Sequence, residues 1–155
     1  MGQYAKDTSV SCEKSRYEIE KTLQRYGADN FMYGTTGYAA IVGFSMFGRQ
    51  IKFIVTLPDR SKREFTHTSS KGIKRSEEAA YATWEQACRQ RWRALNLVIK
   101  AKLEAVECGI SVFEDEFMAN IVLPGGQTVG DFMRPQIEQA YLSGHIPNML
   151  PMLEG

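Results

Sequence analysis

The 155-residue chain predicts an α+β fold: an antiparallel sheet of three to four strands, one long central helix packed across it, an N-terminal helix and a small helical C-terminal subregion. Three observations carry this. No Gly or Pro interrupts residues 76–108, the apolar period changes to two between Asn30 and Leu57, and turn signals cut the chain after Gly109 into short pieces. An apolar content of 43% is enough to bury a core. The expected organisation is one domain, with a lead-in over 1–10, an α–β-sheet–long-helix core over 11–109 and the helical and hairpin subregion over 110–155.

Ser11 is placed to cap a first helix from Cys12 to Tyr26, stopped by Gly27. Its basic residues alternate with Glu13, Glu18 and Glu20, the composition of a solvated helix. A short strand, Phe31 to Tyr33, precedes a Gly34-Thr35-Thr36-Gly37 turn and a strand from Tyr38 to Phe47. Gly48-Arg49 suits a type II′ hairpin turn, which pairs Phe47 with Gln50. Tyr38, Ala40, Val42, Phe44 and Met46 then share a core face with Ile51, Phe53, Val55 and Leu57, leaving Ser45, Lys52 and Thr56 on the other.

Pro58-Asp59-Arg60 ends the hairpin. Lys62, Arg63, Lys71, Lys74 and Arg75 then surround a short apolar-containing run, Glu64 to His67. Two readings stand: an edge strand protected by charge, or a finger that contacts phosphates.

The central helix begins with Ser76 as N-cap and Glu77 and Glu78 in the first turn, where the helix dipole favours acids. Gly109 sits where a left-handed cap belongs. Trp84, Cys88, Trp92, Leu95, Ile99, Leu103 and Val106 form one apolar stripe. Its eleven-residue repeat is that of a straight helix facing a sheet rather than of a left-handed coiled coil. Opposite, Arg89, Arg93 and Lys100 lie within about 40° of one another with Asn96 between them. This basic ridge is either a solvated face or a surface for nucleic acid or an acidic partner. Arg91 and Lys102 project instead beside Trp84 and Leu95, where they either cover apolar surface with their stems or line an anion pocket.

Ser111 and Glu114 match a capping box before a short helix from 112 to 120, followed by a hairpin over 121–129 and a last helix from Asp131 to Leu142 with Pro135 in its first turn. Ile146, Met149, Leu150, Met152 and Leu153, with Pro147 and Pro151 among them, make the terminal residues apolar enough to dock on the body or a partner.

Charge is uneven although the net is +1. From Arg49 to Lys102, thirteen Lys and Arg face five acids; from Leu103 onward one faces eight. The middle of the chain is therefore suited to anionic partners and the end to cationic ones. Cys12, Cys88 and Cys108 form no Cys-x-x-Cys pair, so neither a disulfide framework nor a structural zinc site is expected. No Glu-x-Lys nuclease element, phosphate loop or dinucleotide fingerprint occurs, and Gly43 to Gly48 only echoes a nucleophile elbow, inside a hairpin. A non-catalytic protein without cofactors is expected. Apolar runs fall short of the about eighteen residues a membrane helix needs, so a soluble intracellular protein is expected.

At Glu13-Lys14-Ser15-Arg16, Arg25-Tyr26-Gly27-Ala28, Phe65-Thr66-His67-Thr68, Trp84-Glu85-Gln86-Ala87, Arg89-Gln90-Arg91-Trp92-Arg93 and Leu123-Pro124-Gly125-Gly126, the chain resembles a group of small uncharacterised proteins of tailed phages and prophages. The resemblance implies a setting in the bacterial host cytoplasm and transfers no active site. It directs attention to viral nucleic acid, and to host proteins or ribonucleoprotein complexes, those of host defence included.

The first expectation is thus phosphate binding by Arg89, Arg93 and Lys100, aided by Arg60, Lys62, Arg63, Lys74 and Arg75, with Trp92 or an exposed tyrosine for stacking. Alternatives are an inhibitor or adaptor of a host complex, and a small-anion or nucleotide binder built on Arg91 and Lys102.

Overall fold

The computed structural model describes residues 5 and 7–146. In chain order the elements are α1 (Cys12–Arg25), β1 (Asp29–Thr35), β2 (Ala39–Met46), β3 (Arg49–Thr56), a single turn α2 (Arg63–Thr66), the long α3 (Glu77–Glu107), α4 (Phe113–Phe117) running into a 3-10 turn at Met118–Asn120, and α5 (Val129–Ser143). The strands form one antiparallel sheet in the order β1-β2-β3, so the α+β expectation holds. Terminal residues 147–155, expected to dock, lie outside the described residues.

The cap residues act as their chemistry requires. Ser11 and Ser76 accept hydrogen bonds from the Lys14 and Ala79 amides at 3.1 Å each. Gly109 takes the left-handed conformation that ends α3 (φ 78°).

The β2–β3 register differs from the expected one. Met46 pairs with Arg49, and the turn is Phe47-Gly48, with both residues at positive φ (50° and 72°). This is the two-residue turn of type I′, whose twist suits a hairpin. Each partner shifts by two residues, an even number, so the side chains keep their faces. Phe44 now pairs with Ile51 in place of Phe53, and Val42 with Phe53 in place of Val55. Phe47 tolerates its uncommon backbone conformation while its ring packs edge-on to Phe113, centroids 5.0 Å apart.

Ala40, Val42, Phe44 and Met46 of β2, with Ile51 and Phe53 of β3, join Ile19 and Leu23 of α1 and Trp92, Leu95, Ile99 and Leu103 of α3 in one buried cluster. Both helices therefore cover the same face of the sheet. They run parallel, because their contacts advance together: Thr8 with Gln86, Glu18 with Arg93 and Asn96, Tyr26 with Glu104. Tyr38, expected in the core, is 76% exposed. It precedes β2 rather than belonging to it, and its carbonyl accepts from the Leu57 amide.

Three further expectations are corrected. Arg63–Thr66 is a helical turn rather than part of an edge strand, anchored by burial of Phe65 under α3, and only His67 is extended, in a single bridge to Lys74. The Ser111 side chain caps nothing; Val112 is the N-cap of α4 and the Ser111 hydroxyl turns to the Val112 carbonyl. Thr128 starts α5 by accepting from the Asp131 amide, which leaves Pro135 inside the helix instead of in its first turn.

The C-terminal region closes one end of the core. Phe117 is fully buried and meets Phe44 and Phe53 edge-on. The Val122 amide donates to the Gln50 carbonyl at 2.8 Å, covering part of the β3 edge.

Candidate nucleic-acid interface

The basic ridge of α3 runs along α1, which covers it in part and leaves Lys100 the most exposed of its cations. Arg93 and Asn96 both donate to Oε2 of Glu18, and the Lys100 ammonium is 4.0 Å from the same oxygen. Arg93's hydrogen bond, ahead of its charge, the Asn96 hydrogen bond and the Lys100 charge, holds the Glu18 carboxyl below the usual carboxylate range. Arg89 is held by Glu85 and Gln86 of its own helix, at 2.9 Å from the Glu85 carboxylate. Asn96 is fully buried. The three ridge cations therefore join helices or brace one helix, and the acid that neutralises most of them comes from the helix that composition marks as solvated.

Trp92 is 3% exposed and belongs to the core, with the Arg16 guanidinium 5.5 Å from its ring. It has no face to offer a base, so its stacking role is withdrawn. Apolar periodicity had already put Trp92 on the stripe, and the stripe is what the structure buries.

Arg91 and Lys102 form no common pocket. Lys102 donates to the Glu116 carbonyl at 3.0 Å and lies 3.5 Å from its carboxylate, which ties α4 to α3. Arg91, eleven residues earlier and so about 16 Å away along the axis, is exposed.

The segment between β3 and α3 separates two kinds of cation. Arg75 is structural: its guanidinium donates to the Glu64 and Phe65 carbonyls at 2.9 and 3.1 Å, satisfying the end of α2. Arg60 lies over Tyr81 and Trp84, 4.8 and 5.7 Å from the ring centroids, while the Trp84 indole donates to the Pro58 carbonyl at 2.8 Å. These contacts clamp the 58–60 loop onto the first turns of α3. Lys62, Arg63, Lys71 and Lys74 are exposed and, among the described residues, have no carboxylate within ion-pair distance. The same holds for Arg91.

A groove of about 490 Å³ is lined by two of these cations, Lys62 and Arg91. Leu57, Phe65 and Ala87 give it apolar walls, Lys62 and Arg91 supply positive charge, and Tyr38 stands at its rim. Asp59 also lines it, but its Oδ1 is engaged by the Ser61 hydroxyl and amide at 2.7 and 2.9 Å, bonds that hold its carboxyl below the usual range. Strand alternation assigns Tyr38 to the core, but the Thr36 hydroxyl accepts from the Tyr38 and Ala39 amides, which keeps Tyr38 in the turn and starts the strand at Ala39.

Elsewhere, Cys12 and Cys88 line one cleft between α1 and α3. Burial raises the thiol pKa of both, that of Cys88 to about 11. Among the described residues no three His, Cys, Asp or Glu side chains converge as a metal site, and no helix is long and apolar enough to cross a membrane. Comparison with protein-family models, with curated proteins and with solved structures returns no match for this chain.

Proposed function

We propose that this is a non-catalytic nucleic-acid-binding protein of phage type, acting in the bacterial cytoplasm, which holds the phosphate backbone of a duplex through Lys62, Arg63, Lys71 and Lys74 with Arg91 beside them. The observation that carries the reading is the difference between two sets of cations. Those of the α3 ridge are paired with Glu18 and Glu85, whereas Lys62, Arg63, Lys71 and Lys74 form no ion pair among the described residues, Asp59 acting on Lys62 only from a longer range. Unpaired, clustered cations lose little on meeting phosphates and release counterions from the nucleic acid.

Duplex is favoured over single strand because single-strand binders stack successive bases on aromatic platforms. Here Trp92 is buried and Arg60 lies over Tyr81 and Trp84. No side-chain pattern for reading base edges supports sequence specificity.

The test is anisotropy of labelled duplex and single-stranded oligonucleotides of equal length across a salt series. Duplex binding should weaken with a log–log slope of about −4, matching four to five phosphate contacts. No binding at low salt ends the reading.

A second reading, an adaptor or inhibitor of a host complex, draws on α5. None of its residues is buried, and Ile137, Tyr141 and Leu142 are exposed in the acidic part of the chain. Here a host protein captured by the intact chain should be lost with Ile137→Arg or Tyr141→Arg; retention with both variants removes α5 from consideration.

A further inference from the structure

The groove beside the cation cluster combines features that phosphate contact alone does not require. Its walls are apolar, at Leu57 and Phe65. Tyr38 presents a ring that is 76% exposed, and its position is fixed from both sides. The Thr36 hydroxyl accepts from the Tyr38 amide at 3.3 Å, and the Tyr38 carbonyl accepts from the Leu57 amide at 2.8 Å. An exposed aromatic on a backbone held this way loses little conformational freedom when something stacks on it. Two cations, Lys62 from the entry to α2 and Arg91 from α3, line the same groove.

The groove also carries two carboxylates, so it is not simply an anion sink. Asp59 is turned to Ser61. Glu64 is exposed, and its carboxylate has no hydrogen bond or ion pair among the described residues. A ligand matching all of this is anionic at one end, flat and apolar in the middle, and able to donate a hydrogen bond. A nucleotide whose base bears an exocyclic amine has that character: adenine, cytosine and guanine donate from the amine, whereas thymine and uracil present a carbonyl at the corresponding position.

We infer that this groove takes a single unpaired nucleotide at the end of a bound duplex, its base stacked on Tyr38, its phosphate between Lys62 and Arg91, and its amine donated to Glu64. The inference rests on the phosphate-binding reading above and adds a preference to it. The protein favours duplex ends that carry an overhang, and amine-bearing bases within that overhang. With one exposed ring at the groove, the site holds one base and not a run of them, in keeping with a duplex-binding body.

The experiment compares one duplex in four forms, blunt or with a two-nucleotide overhang of adenine, cytosine or thymine, against the full chain at fixed low salt. Adenine and cytosine overhangs should bind about tenfold tighter than the blunt end, the gain of one stacked base together with its hydrogen bond, while the thymine overhang, which stacks but has no amine for Glu64, gains only part of that. Tyr38→Ala should remove the gain and leave blunt affinity as it was. Glu64→Gln should narrow the difference between cytosine and thymine, since an amide can also donate. Both side chains are exposed, so neither variant threatens the core. Equal salt-dependent binding of all four forms overturns the nucleotide site and leaves the phosphate reading standing. A gain that is the same for the three bases, or that survives Tyr38→Ala, also overturns it. Failure to bind any form at low salt overturns both.

Discussion

Glu18 of α1 and Arg93 of α3, 75 residues apart in sequence, meet in an ion pair across the parallel helix interface, and Asn96 donates to the same carboxylate oxygen at 2.8 Å. With Lys100 approaching as well, one acid organises three side chains of the long helix. The ridge that periodicity identifies as basic is thereby a seam inside the fold.

Replacing Glu18 should therefore affect stability rather than ligand binding. Its side chain is 28% exposed, so Glu18→Ala is expected to cost about 1–2 kcal/mol at pH 7, as for a charged hydrogen bond partly screened by solvent. The folded pKa is depressed, so the unfolded state takes up a proton first as pH falls. The contribution is complete above the unfolded value of about 4.3 and fades as pH drops through the lower folded value. Urea titrations of wild type and Glu18→Ala should converge in acid. A gap that persists unchanged at low pH would show that the charge is not responsible.

Neighbouring cations at the start of α3 should behave differently. Lys74→Ala should reduce the salt slope of duplex binding by about one and leave the denaturation midpoint in place. Arg75→Ala should lower that midpoint, because it strips the Glu64 and Phe65 carbonyls of their donor. If Arg75→Ala changes only the salt slope, the assignment of these two residues is reversed.

Phe117→Ala should destabilise the whole chain by about 3–5 kcal/mol, since its ring is fully buried against Phe44 and Phe53. A single unfolding transition, seen both in far-UV circular dichroism and in Trp fluorescence, is expected to persist. Two separated transitions would mean that the region after α3 unfolds as its own unit.

The three cysteines should react in a set order. Cys108 is exposed, Cys12 half-buried and Cys88 buried, and burial raises the pKa of Cys88 to about 11. Relative to an ordinary thiol, its thiolate is roughly a hundredfold scarcer at pH 8. Timed alkylation read by mass spectrometry should modify Cys108 first and Cys88 only as the chain unfolds. Early loss of the Cys88 thiol would contradict the packing of α1 on α3.

Local chemistry determined much of this protein. Ser76 and Gly109 bound α3 because capping involves residues only a few positions apart, and the stripe from Trp84 to Val106 is a property of helical geometry alone. Alternation likewise assigned Val42, Phe44, Ile51 and Phe53 to one sheet face, and an even shift of register left that unchanged. Tertiary structure decided the rest. Phe47 enters a turn conformation that its type disfavours while its ring lies on Phe113, which no local rule connects to it. Helical projection gives the direction in which Arg93 points but not what stands there, and the parallel approach of α1 brings Glu18 to it. The same approach, with Lys102 drawn to Glu116, takes up the cations that looked free in the sequence. The cluster from Lys62 to Lys74 stays exposed because the loop carrying it is anchored by other residues: Phe65 buried, Arg75 on carbonyls and Arg60 on aromatic rings.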